Sequence, residues 1–384
     1  MDKKIMIIAI VAAVVLVIAA AAIVLSHQDQ GETKETKKGW YAWDPQTMVL
    51  ASSNVAPSPY WDVILGQLYE NIYGEKPDYT KYTKADVPKD YMKYDSLVSH
   101  DSNGNLVVTS KYRLQTGEWH TYDTTYTSVP TGMIGSGSYA ICLYYAICAQ
   151  MGVDPSAHNA SAVSKMWSMA YGGDSSLYEK LEMNYNIPIA GFSGTELTNP
   201  AYMNDNKDSY VNLISKLTAD GKTPVWICSG SSPRWENGGE WLKGVIEEQG
   251  GYSLLLSIST FEDCLAEIEA ICYIFGYGDY AQDLIDDLRL KMYTLDKLSE
   301  QKVKAMGKQY TGLGIYTNND WTFASNSGIG VMFELLHVKN VYTLADSGNW
   351  EAENVIKAQP QIIVFCASNP KTVDWNQAMR VPTE

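Results

Sequence analysis

The chain has 384 residues, 46% of them apolar and 19% charged, the composition of a globular protein with room for two domains of ordinary size, each with its own core. A formal charge of −15 argues against nucleic acid or an anionic membrane surface as the main partner, since either needs a basic patch. The aromatic content is skewed to 27 Tyr and 11 Trp against 6 Phe, and rings with a polar tip suit half-wetted surfaces and ligand contacts alike.

Ile5 to Leu25 carries no charged or polar side chain, follows Asp2-Lys3-Lys4, and at 21 residues is long enough to span a bilayer. It exceeds the usual core of a cleaved signal, so it reads as an uncleaved anchor, a cleaved signal being the alternative. Residues 1–25 are thus a short cytoplasmic head and transmembrane helix, and 26–39 (SHQDQGETKETKKG) a polar linker. Lys3 and Lys4 before the span against Lys34, Lys37 and Lys38 after it leave orientation open by charge alone. The short head favours an extracytoplasmic bulk.

Residues 40–129 read as an N-terminal extension with a helix over Tyr60 to Tyr73 and two hairpins. Asp101-Ser-Asn-Gly104 precedes the alternating Leu106-Val-Val-Thr109, and Thr116-Gly117 precedes Glu118-Trp-His-Thr. From Val129 the pattern becomes strand, glycine loop, helix: Val129 to Ser138 leads into Tyr139 to Met151, with Ser138 as N-cap. Pro224 to Cys228 and Tyr252 to Ile258 are further strands, and Thr260 with Asp263 opens a helix through Phe275. Alternating strands and helices predict parallel sheet.

Ala281, Leu284, Ile285, Leu288, Met292, Leu295 and Leu298 then recur at intervals of three and four with acidic and basic residues between them. A helix over 279–304 is long enough to cross from one domain to the next, the alternative being an amphipathic helix on one domain. A fresh α/β unit follows: strand Gly312 to Tyr316, loop Thr317 to Ser327, helix Gly328 to Leu336, strand Ile362 to Phe365.

Six cysteines form no C-x-x-C pair and read as small apolar side chains. His27, His100, His120, His158 and His337 occur singly, so a bare metal site is poorly supported. "DSNG" is half of a calcium loop without its closing Glu. No nucleophile elbow or Ser/His/Asp order appears.

The order of elements over about 130–366, the "D-x-x-G-x-x-V" hairpin at Asp101 and the run Glu353-Asn-Val-Ile-Lys-Ala-Gln-Pro-Gln-Ile-Ile-Val-Phe365 resemble extracytoplasmic substrate-binding proteins of ABC importers. The closest group has two lobes joined by a single helix, and its members bind iron-siderophores, haem and cobalamin. The resemblance implies lobe one over 130–278, a hinge helix over 279–304 and lobe two over 305–384, which ends about eighteen residues after Cys366 and is expected to be abbreviated or a fragment. The fold class expected is α/β, two lobes with parallel sheets joined by one long helix, after a transmembrane helix.

Ligands of open α/β sheets sit outside the carboxyl ends of the strands. That rule picks the loops holding Ser136, Ser138 and Tyr139, then Arg234 and Trp235, then Trp321 and Phe323, and Trp350. Backbone N–H groups before Tyr139 suit an anionic or carbonyl group, and Arg234 beside Trp235 offers a planar charged fork with a flat face. In relatives the loop matching Trp321 and Phe323 carries aromatic ligand contacts, and the loop of Trp350 also carries a Trp in cobalamin binders, though not at the same position. The resemblance places permease docking on Glu353, with Glu196 or Asp208 as the counterpart on lobe one. It implies no enzyme activity and no resident cofactor, a metal-chelate ligand, and a permease and ATPase as partners. The alternatives are an anchored hydrolase using paired carboxylates such as Asp320 and Glu351, and a surface receptor that has kept the fold without transport.

Overall fold

The computed structural model describes residues 47–52, 61–114, 117–136, 163–164, 189–190, 207–230, 239–258, 260–316, 321–322, 324–325, 327–344, 347–350 and 352–367. The described chain opens with β1 (Thr47–Ser52) and α1 (Trp61–Tyr73), which buries Leu65, Leu68, Tyr69 and Ile72 at helical spacing. One 3₁₀ turn at Lys84–Asp86 precedes β2 (Val98–His100), β3 (Leu106–Arg113) and β4 (Trp119–Tyr126). The two hairpins fall where the turn residues predicted them. Gly104 takes φ +83°, and its N–H donates to the Asp101 carbonyl at 3.0 Å. The Asp101 carboxylate accepts from the Asn105 side chain and from the Asn103 and Asn105 N–H groups, each at 2.9 Å, which holds it below the usual carboxylate range. Its oxygens close the turn.

Next come β5 (Gly132–Ser136), β6 (Val163–Ser164), β7 (Ile189–Ala190), α2 (Lys207–Ala219), β8 (Pro224–Gly230), α3 (Gly239–Glu248) and β9 (Tyr252–Ser257). Helix α4 (Phe261–Ile274) starts with the expected capping box: Thr260 Oγ1 accepts from the Asp263 N–H at 3.1 Å, and the Asp263 carboxylate accepts from the Thr260 N–H at 3.0 Å. Helix α5 (Gly278–Met306) has 29 residues, about 44 Å at 1.5 Å per residue, and buries the predicted stripe from Ala281 to Leu295, with Leu298 half-buried. Gly307 ends it in the left-handed region at φ +65°, its N–H returning to the Val303 carbonyl at 3.0 Å. Beyond it lie β10 (Thr311–Tyr316), β11 (Trp321–Thr322), α6 (Gly328–Leu335), β12 (Lys339–Asn340), β13 (Gly348–Asn349), α7 (Ala352–Ala358) and β14 (Ile362–Ala367).

These strands make two larger sheets, with β6 and β7 paired separately. In the first, β5, β8, β9 and β3 are parallel, with β2 and β4 antiparallel to β3. In the second, β1, β14, β10 and β12 are parallel, with β11 antiparallel to β10 and β13 antiparallel to β11. The expectation of parallel sheets is corrected to mixed sheets with parallel centres. Strands joined by a tight turn need no crossover, so they come out antiparallel.

The segment 40–129 is not a separate extension. It supplies β1 to the second sheet and β2, β3 and β4 to the first. Consequently the chain passes between the sheets twice, once through α1 and the residues up to Val98 and once through α5, where a single crossing helix was expected. The β3–β4 ribbon covers the edge of β9 largely with side chains. The Leu255 N–H donates to Ser110 Oγ at 3.0 Å, and the Thr124 and Tyr126 hydroxyls donate to the Ser253 carbonyl at 3.1 and 3.4 Å, satisfying groups an open edge would leave bare.

A core for each domain was expected; one apolar cluster instead runs from Val108, Leu254 and Leu256 through α1, α4 and α5 to Phe333 on α6 and Ile362 in the second sheet. The opposite faces have smaller clusters, Trp226 with α2 and α3 on the first sheet and Ile363 with Tyr342 and Val355 on the second. Cys228, Cys264 and Cys272 are buried, as expected of small apolar side chains.

Candidate functional site

The carboxyl ends of β5, β8 and β9 share one edge of the first sheet, for Ser136 pairs with Cys228 and Gly230 with Ser257. β3 runs parallel to β9 and brings Arg113 to the same edge, its N–H donating to Ser257 Oγ at 2.9 Å. The Arg113 Nε–H donates to the Gly117 carbonyl at 3.1 Å, fixing the turn between β3 and β4. Beside it, Thr260 and Asp263 open α4. Neither Arg113 nor Ser257 is among the residues expected from sequence, and Arg113 falls in 40–129, which was expected to lie outside the lobes. The signal was the end of the strand Tyr-Ser-Leu-Leu-Leu-Ser257.

In the second sheet the carboxyl ends of β1, β14 and β10 align, with Ser52 beside Ala367 and Tyr316 beside Cys366. β11 turns back against β10, and its Trp321 pairs in register with Asn349 of β13. The fold therefore joins two aromatic positions, Trp321 and Trp350, that are 29 residues apart in sequence. Trp350 is half-buried, its ring edge-on to Tyr342 at 5.3 Å between centroids, so part of it serves the core.

Ser136 is the last residue of β5, which places Gly135 and Ser136 in the strand and not in the loop after it. Ser138, Tyr139, Arg234, Trp235 and Phe323 lie outside the described residues, as do Glu196, Asp320 and Glu351 and the apolar segment 5–25. Asp208 sits in the first turn of α2 and is exposed. Glu353 sits in the first turn of α7 with its side chain 80% exposed, 3.8 Å from Lys357 one turn on. An exposed pair of that kind contributes little to stability, so the carboxylate is available to a partner.

A surface groove of about 380 Å³ runs along α6 between Gln309, Phe333, Glu334, His337 and Asn340. Thr311 and Gly312 beside it pair with Lys339 and Asn340, so it reaches the amino end of β10, away from the strand ends where ligands of such sheets bind. Among the described residues no group of three or more His, Cys, Asp or Glu is placed to hold a metal ion, and no helix is long and apolar enough to cross a membrane.

No protein-family model and no curated protein matches the sequence. Solved structures do resemble the fold. A periplasmic solute-binding protein from Veillonella parvula aligns over 71% of this chain and 75% of its own, at 14% identity and a TM-score of 0.47. The siderophore-binding protein BauB, solved with acinetobactin and ferric iron, aligns over 70% and 80% at 13% identity and a TM-score of 0.43. A periplasmic haem-binding protein from Pseudomonas aeruginosa aligns over 66% and 76% at 11% identity and a TM-score of 0.44. The three are described as binding proteins for a solute, a siderophore and haem.

Proposed function

We propose that the chain is a membrane-tethered, extracytoplasmic substrate-binding protein that takes a metal chelate, a ferric siderophore or cobamide, between two lobes and delivers it to an ABC permease and its ATPase. The observation that carries this reading is the pair of mixed sheets with parallel centres, each with a rim at the carboxyl ends of its strands, linked by the 29-residue helix α5. Capture needs binding groups and no bond-making machinery. Aromatic positions at Trp321 and Trp350 suit a large, flat, partly apolar chelate better than a sugar, and Arg234 with Trp235 supplies the opposing contact in this reading.

Tryptophan fluorescence of the protein should fall as ferric siderophore or cobamide is added, and Trp321→Ala should raise Kd at least roughly tenfold, the loss expected when a central aromatic contact worth about 1.4 kcal/mol or more is removed. Absence of quenching by any chelate, with binding of sugars or peptides, would overturn the ligand class.

Glu353 meets the permease in this reading, on a face apart from the ligand. Glu353→Lys should leave chelate affinity unchanged and reduce uptake through the reconstituted transporter. An equal loss of affinity would show that the residue serves the ligand instead.

A further inference from the structure

The connection between α1 and β2 lies along α5 as a strap. The Glu75 carboxylate meets Lys302 at 2.9 Å, and Gln301 donates to the Tyr82 hydroxyl at 2.8 Å. Lys84 reaches Asp287 at 2.8 Å and Asp283 at 3.7 Å. The chain then folds back, and the Arg289 guanidinium, with only 15% of its side chain exposed, donates to the carbonyls of Pro88 at 3.2 Å, Lys89 at 3.1 Å and Tyr91 at 2.6 Å. Tyr82 and Tyr91 both stand edge-on to Tyr293, at 5.4 and 5.2 Å. These attachments run from Asp283 to Lys302, about 28 Å of helix at 1.5 Å per residue.

Both ends of the strap are fixed. Before it, the Tyr73 hydroxyl donates to the Leu336 carbonyl at 2.5 Å, tying α1 to the end of α6 beside the second sheet. After it, Tyr94 and Leu97 pack on the common core and the chain enters β2 of the first sheet.

We propose that residues 75–97 are a splint that stiffens α5 and limits how far the two sheets move relative to one another. Bending a helix lengthens one side and shortens the other, so a second connector bonded at several points along it must slide or break for the bend to occur. A planar, permanently charged fork holding three carbonyls is the strongest of those bonds. The lysine contacts are partly exposed and the rings of Tyr82, Tyr91 and Tyr293 half-buried, and they serve as guides. In the two-lobed reading above, on which its functional meaning rests, the splint confines ligand capture to a small closure.

Amide hydrogen exchange along α5 tests the splint without any ligand, so its failure is separate from failure of the binding role. In the full chain held in detergent, Arg289→Lys keeps the charge and loses the fork. Exchange over residues 286–302 should rise at least roughly tenfold, as for local opening made easier by about 1.4 kcal/mol, while amides of β8 and β9 stay as slow as in the parent. If that variant does not fold, Tyr82→Phe combined with Lys84→Met, on the exposed side, should give a smaller rise confined to the same residues. Unchanged exchange in α5, or a uniform rise throughout the protein, would overturn the proposal.

Discussion

Replacing Trp226 by Ala should remove about 3–5 kcal/mol of unfolding free energy, the range for deleting a large aromatic from a packed core. Trp226 lies in β8, has no exposed surface and packs in the cluster with Tyr112, Ile214, Leu217, Leu242 and Leu255. That cluster joins α2 and α3 to the outer face of the first sheet, so the cavity opens where two helices have few other apolar anchors. Urea denaturation measures it: the midpoint should fall at nearly constant slope, because the surface exposed on unfolding changes little. A loss below about 0.5 kcal/mol, the size of an ordinary surface substitution, would mean that α2 and α3 do not pack there.

The second large effect is alkaline unfolding. Burial is the main cause that pushes the Tyr69 phenol up to about 12, with the nearby Glu75 carboxylate adding to it. Burial likewise raises Tyr73, Tyr91, Tyr94, Tyr122 and Tyr126. An unfolded tyrosine titrates near 10, so the folded state favours the neutral phenol. The stability this contributes is full below pH ~10 and is lost as pH rises through the folded values. Absorbance at 295 nm should therefore show a first gradual titration of exposed tyrosines, then a cooperative step above pH ~10 coincident with loss of secondary structure. A single smooth titration centred near 10, with the fold intact, would show that these rings are open to solvent.

Elements whose signal is local were legible. The stripe from Ala281 to Leu298 gave α5 to within a few residues, Thr260 and Asp263 marked the start of α4, and Asp101 to Gly104 marked the first hairpin. β1 was not legible: Thr47-Met-Val-Leu-Ala-Ser52 pairs with Ile362 to Ala367, more than 300 residues away, and nothing in six residues names a distant partner. The strap was equally silent. Its residues are polar or Tyr-rich with no helical or strand period, and what fixes them is Arg289, which in sequence is one of several charges on the solvent side of a helix. Of the candidate site, the strand ends were legible because they follow from α/β topology, and the pairing of Trp321 with Asn349 was not because it depends on two-residue strands. The common core was misread as two, since apolar spacing shows which face a helix buries and says nothing of what lies against it.

The position of the bound ligand decides whether the two rims form one binding site. Crystals of the protein with a ferric siderophore, measured at the iron absorption edge, locate the metal directly. The predicted result is a single anomalous peak between the two rims, bounded on one side by the carboxyl ends of β8 and β9 near Ser257 and on the other by the region of Trp321 and Trp350. A peak in the groove beside His337, or a siderophore that binds on the outer face by Glu353, would contradict it.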